Sequence, residues 1–202
     1  MLRDIYISSS QQLWQSLLVS GSFRSMRFQG ECISLSPQEF EAEVASFLKS
    51  KHADQRGLRI DRLEKISAQD GTYEIDITAR FEVLGVDFLV LVECKHHKSP
   101  IKRDVVQILH DRVRAVGAQK GIIFSTSRFQ RGAVQYAQAH GVALVEIADS
   151  RTCYVTRGYE AEQDLPPGVP PRVGWFMSLS NEGHLTRTLM KEDNVVDLLA
   201  LA

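Results

Sequence analysis

Residues Val86 to Lys95 read VDFLVLVECK, and this segment constrains the fold more than any other. Its middle is apolar at consecutive positions, so a strand here has no face left for water and must lie inside a sheet covered on both sides. Yet it closes on Glu93 and Lys95, which strand alternation puts on one face, roughly 7 Å apart. A carboxylate and an ammonium are thereby carried to the end of a buried strand.

The period of two extends back to Leu58. Strands are predicted over about 58–66, 73–82 and 86–95, and Asp70-Gly71 and Gly85 supply the turn signals, so the three should form consecutive antiparallel hairpins. Alternation puts Glu74, Asp76 and Thr78 on one face of the second strand. Pairing of the second hairpin then brings Asp76 alongside Glu93.

Helical periods flank this hairpin pair. Ser36-Pro37-Gln38-Glu39 has the form of a capping box, with proline at the first helical position. Phe40, Val44, Phe47 and Leu48 then make one apolar stripe, and Glu41 lies at its border. Lys102 to Val116 reads as a helix with Val105, Ile108, Leu109, Arg112, Val113 and Val116 on one face and Gly117 as its stop. GIIFS is a short buried strand. Ser127 to Gln130 can cap a further helix, in which Gly132, Ala133 and Ala137 allow close approach to a sheet, and VALVEI follows as a strand.

The expected order is therefore α-β-β-β-α-β-α-β, an α/β fold with a mixed central sheet flanked by helices. Three segments are expected: an accessory stretch at 1–35 with an amphipathic helix around Leu13 to Leu18, a core at 36–147, and a tail at 148–202. The tail holds a proline-rich connection at Pro166 to Pro171, a hairpin, and a short helix from Val195.

Two carboxylates converging at the end of an apolar sheet repel each other and are costly to desolvate, so they call for a cation. Magnesium takes oxygen ligands, keeps several waters, and is usually held by one or two carboxylates plus substrate phosphates. Such an ion activates water and neutralises phosphoryl charge, while a nearby ammonium positions the nucleophile. Asp76, Glu93 and Lys95 suffice for metal-dependent phosphodiester hydrolysis. Glu-x-Lys alone is more often a surface ion pair; the apolar strand before it and the Asp-bearing hairpin beside it separate this case from that one.

Twenty-four Lys and Arg against 25 Asp and Glu leave a formal charge of -1, so a polyanion must be met by a local patch rather than by the whole molecule. Lys95, Lys98, Lys102 and Arg103 outweigh Glu93 in one such stretch, and Arg128 and Arg131 extend it. Cations at a helix start oppose the macrodipole, which favours phosphate contact over simple solvation. Cys32, Cys94 and Cys153 form no zinc spacing and read as reduced thiols of a cytoplasmic protein. Adjacent His96 and His97 point to opposite faces of a strand, which disfavours a shared zinc. No stretch has the length of a membrane span, and no phosphate-cradling GxxxxGK[ST] loop occurs.

Glu74-Ile75-Asp76-Ile77, then VECKHHKSPI from Val92, GIIFSTS from Gly121 and FQRGA from Phe129 together resemble the Mrr-like restriction endonuclease catalytic domain, of the PD-(D/E)xK nuclease superfamily. The likeness covers about 36–147, and Ile75 stands where the superfamily's nominal motif has proline. It implies a restriction-endonuclease-like core in which Asp76 and Glu93 bind Mg2+, which Mn2+ can replace. It further implies that the Cys94 carbonyl completes the metal shell, that Lys95 assists the water, and that Glu41 is the acid contributed by the first helix. The expected activity is DNA endonuclease action in restriction, defence or repair, with Lys98, Lys102, Arg103 and Arg128 on the DNA. Cutting two strands with one site per chain favours a homodimer. Neither end of the chain reads as a winged helix, which points to a separate recognition subunit. The alternative expectation is a non-cleaving nucleic-acid-binding or assembly domain with the same fold.

Overall fold

The computed structural model describes residues 35–51, 57–96, 98–149 and 172–190. The helices expected near Leu13 and Val195, the proline-rich connection, Cys32, Cys153 and His97 lie outside them. Three helices and seven strands are described: α1 (Pro37–Lys51), β1 (Arg59–Ala68), β2 (Gly71–Val83), β3 (Val86–Lys95), α2 (Arg103–Val116), β4 (Lys120–Ser125), α3 (Arg131–Ala139), β5 (Ala143–Asp149), β6 (Arg172–Leu179) and β7 (Leu185–Leu189). The order through β5 is the one that the hydrophobic periods predict.

One mixed sheet takes the strands in chain order, β1 to β7. β1, β2 and β3 pair antiparallel, β3, β4 and β5 parallel, and β5, β6 and β7 antiparallel. The tail hairpin thus continues the sheet beyond β5. Parallel pairs need crossovers, and α2 and α3 provide them.

Each face of the sheet has its own core. Phe40, Val44 and Leu48 of α1 pack with Ile77, Val90, Val92, Ile122, Phe124 and Val145. Val106 and Leu109 of α2 and Ala133, Val134 and Ala137 of α3 pack on the other face with Leu91, Ile123 and Leu144. β3 is covered on both sides, as its unbroken apolar run requires.

The capping box forms: Ser36 N–H donates to Glu39 Oε2 at 2.7 Å and Glu39 N–H to Ser36 Oγ at 3.2 Å. Leu84 (φ 52) and Gly85 (φ 78) both take left-handed conformations in a two-residue turn, which suits the twist of the β2–β3 hairpin. Gly121 lets α2 lie on β4, since a Cβ there would come 3.1 Å from Val113 Cγ2.

Three local expectations are corrected. Ile108 is 53% exposed, and Val106 occupies the core instead. Gly132 faces open space, and the approach of α3 is set by Ala133 and Ala137 with Val134. The N-cap of α3 is Gln130 rather than Ser127. Phe129 is engaged in a parallel bridge with Ile101, which postpones the helix.

The largest departure lies in β1 and β2. Ile75 and Ile77 are both fully buried, yet they belong to opposite cores, so the alternation of β2 breaks at Asp76. Asp76 therefore does not share a regular face with Glu74 and Thr78. β1 breaks opposite it: Arg62 pairs with Ile77 and Glu64 with Ile75, while Leu63, between them, drops out of the ladder at φ 51. As a result Asp61 and Glu64, three apart, both reach Arg80. Arg62 turns the other way, to the Gln38 carbonyl of α1.

A leucine in the left-handed region is strained, and a β-branched residue is more so. Leu63→Val is expected to lower the unfolding free energy by about 1–2 kcal/mol more than Leu63→Gly does. Equal values for the two variants in urea denaturation would remove strain at Leu63 from this account.

Candidate functional site

The β2–β3 ladder stops at the pair Ile77–Val92, although both strands run on. Past that rung β2 stays with β1 as far as Gly71, and β3 stays with β4 as far as Lys95. The sheet forks there, and the next position in register sets Asp76 opposite Glu93. The Asp76 carboxylate enters the fork in the plane of the strands, where Oδ2 accepts the Cys94 N–H at 2.7 Å.

Glu93 is 7% exposed. Lys95 Nζ lies 2.5 Å from its Oε1, and Arg112 Nη1 lies 2.9 Å from its Oε2. Each carboxylate oxygen thus has its own cation, which offsets much of the cost of burying the charge. The helical period puts Arg112 on the apolar face of α2, which by itself gives it no part in the site. Its place at i+3 from Leu109, on the helix that crosses back over β3, is the signal that could have found it.

Among the described residues no cation is paired with Asp76. Its carboxyl is pushed up to about 6, chiefly by burial and then by the Glu93 charge; the Cys94 N–H and Lys95 act against this, and Glu41 adds to it. Glu41, on α1, is near enough for its charge to act on Asp76 and Cys94, and its partner Arg62 Nη2 is 3.4 Å away. Burial first, and then Asp76, Glu41 and Glu93, push the Cys94 thiol far up, so that residue offers a cation its carbonyl oxygen rather than a thiolate.

These groups fit a hard divalent ion. Among the described residues no three His, Cys, Asp or Glu side chains form a ready-made cage. Magnesium does not need one, because it retains waters and takes substrate oxygens. The uncompensated negative charge at Asp76 is what such an ion would neutralise.

Lys98, Lys102 and Arg103 are exposed, just beyond β3. The N–H of Ile101 donates to the Arg128 carbonyl at 2.8 Å, and that of Gln130 to the Ile101 carbonyl at 2.9 Å, so the starts of α2 and α3 lie side by side. Lys102 and Gln130 are their N-caps, and neither caps through its side chain. The four expected nucleic-acid contacts therefore gather on two adjoining loops at the carboxyl ends of β3 and β4. Arg103 lies 4.9 Å over the Tyr136 ring, and Tyr136 hydrogen-bonds His110 Nδ1 at 3.0 Å.

Two measurements follow from this electrostatic arrangement. Because the Asp76 carboxyl is raised above its unfolded value of 3.8, the native state holds the extra proton, and the contribution of this group to stability falls as pH rises from about 4 through 6. Asp76→Asn is expected to raise the melting temperature of metal-free protein at pH 7.5 more than at pH 4, and Mg2+ to stabilise the wild type but not the variant. A pH-independent shift would contradict the raised carboxyl. Arg112→Ala is expected to cost about 1–3 kcal/mol by leaving Glu93 half-paired, and much less in a Glu93→Gln background. Equal costs in the two backgrounds would mean that the ion pair is not what Arg112 contributes.

The restriction endonuclease family model of the Mrr-type catalytic domain matches residues 33–150. No curated protein sequence matches the chain. Among solved structures it is similar to a protein of unknown function, AF1548, at 23% identity and TM-score 0.43, covering 53% of this chain and 56% of that one. It is also similar to the DNA modification-dependent restriction endonuclease AspBHI, at 16% identity and TM-score 0.31, covering 65% of this chain and 40% of that one. The chain thus spans little more than half of the first of these and two fifths of the second. The family match takes in more than half of the chain and the whole of the fork, from α1 to β5: the chain belongs to the Mrr-type restriction endonuclease family.

Proposed function

We propose that the chain is a magnesium-dependent endonuclease that hydrolyses phosphodiester bonds of DNA, with 36–147 as its catalytic core and 1–35 and 148–202 as additions. The observation that carries this reading is the fork, in which Asp76 faces Glu93 without a cation of its own among the described residues, while Lys95 stands on the Glu93 side. Asp76, Glu93 and the Cys94 carbonyl would hold Mg2+ or Mn2+. When bound, the ion supplies Lewis-acid activation of water and neutralises charge on the phosphoryl oxygens.

The chain's own groups do the rest. Lys95 orients the attacking water and stabilises the charge that develops on the phosphate. Arg112 holds the Glu93 carboxylate in place from α2. Glu41 adds a carboxylate on the α1 side, able to accept a hydrogen bond from a water entering the fork. Lys98, Lys102, Arg103 and Arg128 receive the DNA backbone at the paired helix starts. A homodimer would supply two such sites for two strands, a separate subunit would supply sequence recognition, and the cytoplasm is the compartment where both the DNA and reduced thiols are found.

Purified protein incubated with plasmid and Mg2+ or Mn2+ is expected to nick it, with Glu93→Ala and Lys95→Ala slower by roughly 100-fold or more. Equal nicking by all three proteins would sink the assignment. A second reading, a non-cleaving DNA-binding domain, draws on the occupation of both Glu93 oxygens by internal cations. Salt-sensitive DNA binding with no cleavage under any divalent metal would favour it.

A further inference from the structure

From β5 onward the sheet carries an ion pair, Glu146 with Arg187, to which the proposed chemistry gives no role. Lys95, Ser125, Glu146 and Trp175 are successive partners across β3, β4, β5 and β6, so their side chains leave the same face, the one on which α2 and α3 pack. Arg187 on β7 pairs with Met177, which is buried in that same core. Glu146 is only 8% exposed, and its Oε2 accepts Arg187 Nη2 at 3.1 Å. Arg128 is close enough for its charge to act on Glu146 as well.

A carboxylate buried at the carboxyl end of a parallel strand is costly unless it holds something. Here it holds a guanidinium by one nitrogen. Arg187 has further N–H donors, and its side chain stays 31% exposed. α3 fixes the hairpin that brings it there: the Gln138 amide accepts from Leu179 N–H at 3.1 Å and donates to the Leu179 carbonyl at 3.4 Å. Arg131 also reaches this hairpin, 3.3 Å from where a Cβ on Gly183 would lie. Two guanidiniums, Arg187 and Arg128, thus act on Glu146, while Arg131 lies at the hairpin turn, where Glu182 faces His184 at 3.6 Å.

We infer that the β6–β7 hairpin is a phosphate-binding arm, in which Arg187, seated on Glu146 beside Arg128, grips the backbone of duplex DNA on the flank of the Lys95 site. Two strand spacings separate Glu146 from Lys95, roughly 10 Å, or the rise of about three nucleotides of one strand. Arg187 is a positioning residue that rests on the nuclease reading for its location but not for its binding. Glu146 is its mount, fixing the direction of the guanidinium before DNA arrives.

The test is binding of the full chain to a fluorescent duplex, read by anisotropy across a salt series without divalent metal. Arg187→Ala is expected to weaken binding roughly tenfold near 0.1 M salt and to reduce the log–log salt slope by about one. Arg187→Lys should keep the slope, and Lys49→Ala, on the exposed side of α1, should change neither quantity. If Arg187→Ala unfolds, the double variant Glu146→Gln/Arg187→Gln leaves the charge of the pair at zero and is expected to lose the same slope. A wild-type slope in Arg187→Ala or in the double variant, an equal loss in Lys49→Ala, or no duplex binding by the wild type would overturn the arm. Arginine-dependent binding without plasmid nicking would leave the arm standing and remove the nuclease, whereas nicking with arginine-independent binding would do the reverse.

Discussion

The site depends on one hydrogen bond that a regular sheet would not make. Cys94 donates its N–H to the Asp76 side chain, in the gap where β2 and β3 part. That contact satisfies the donor on β3 and fixes the carboxylate in the plane of the sheet, between two cores. Its counterpart is the irregularity in β1, where Leu63 adopts a left-handed conformation opposite Asp76 and the faces of both strands exchange. Strain of about 1–3 kcal/mol at such a residue persists only when the surroundings over-determine it. The networks on either side do so, with Arg80 gripping Glu64 through two nitrogens and Arg62 holding the Gln38 carbonyl and Glu41.

Around the fork the charges are divided unequally. Among the described residues Glu93 has two cations and Asp76 has none, and burial raises the Asp76 carboxyl. A carboxyl buried without a counter-ion is poised to gain one. Lys95 follows from strand alternation, whereas Arg112 arrives by tertiary packing, from a helix that must cross back over β3 because the next strand is parallel to it.

That crossover also organises the surroundings. α2 and α3 begin side by side because Ile101 and Phe129 bridge their approach loops, so cations far apart in the chain lie along one edge at the carboxyl ends of the parallel strands. Ligands of open α/β sheets bind at that end. The β6–β7 hairpin continues the same sheet, and Arg187 joins the edge through Glu146.

The sequence by itself determined the element order, the capping box at Ser36, both hairpins, the two-sided burial of β3, and the placing of Glu93 and Lys95 on one face. Each rests on local period or turn chemistry, which neighbouring residues are enough to encode. Only the tertiary structure decided that the alternation breaks at Asp76 and Leu63, that Ile108 yields to Val106, that Arg112 reaches Glu93, and that Arg187 reaches Glu146. Those outcomes join residues 13 to 41 positions apart, or turn on a strained dihedral that no local pattern favours. They are settled by where the strands part and which helix covers which face, and a one-dimensional period carries no record of either.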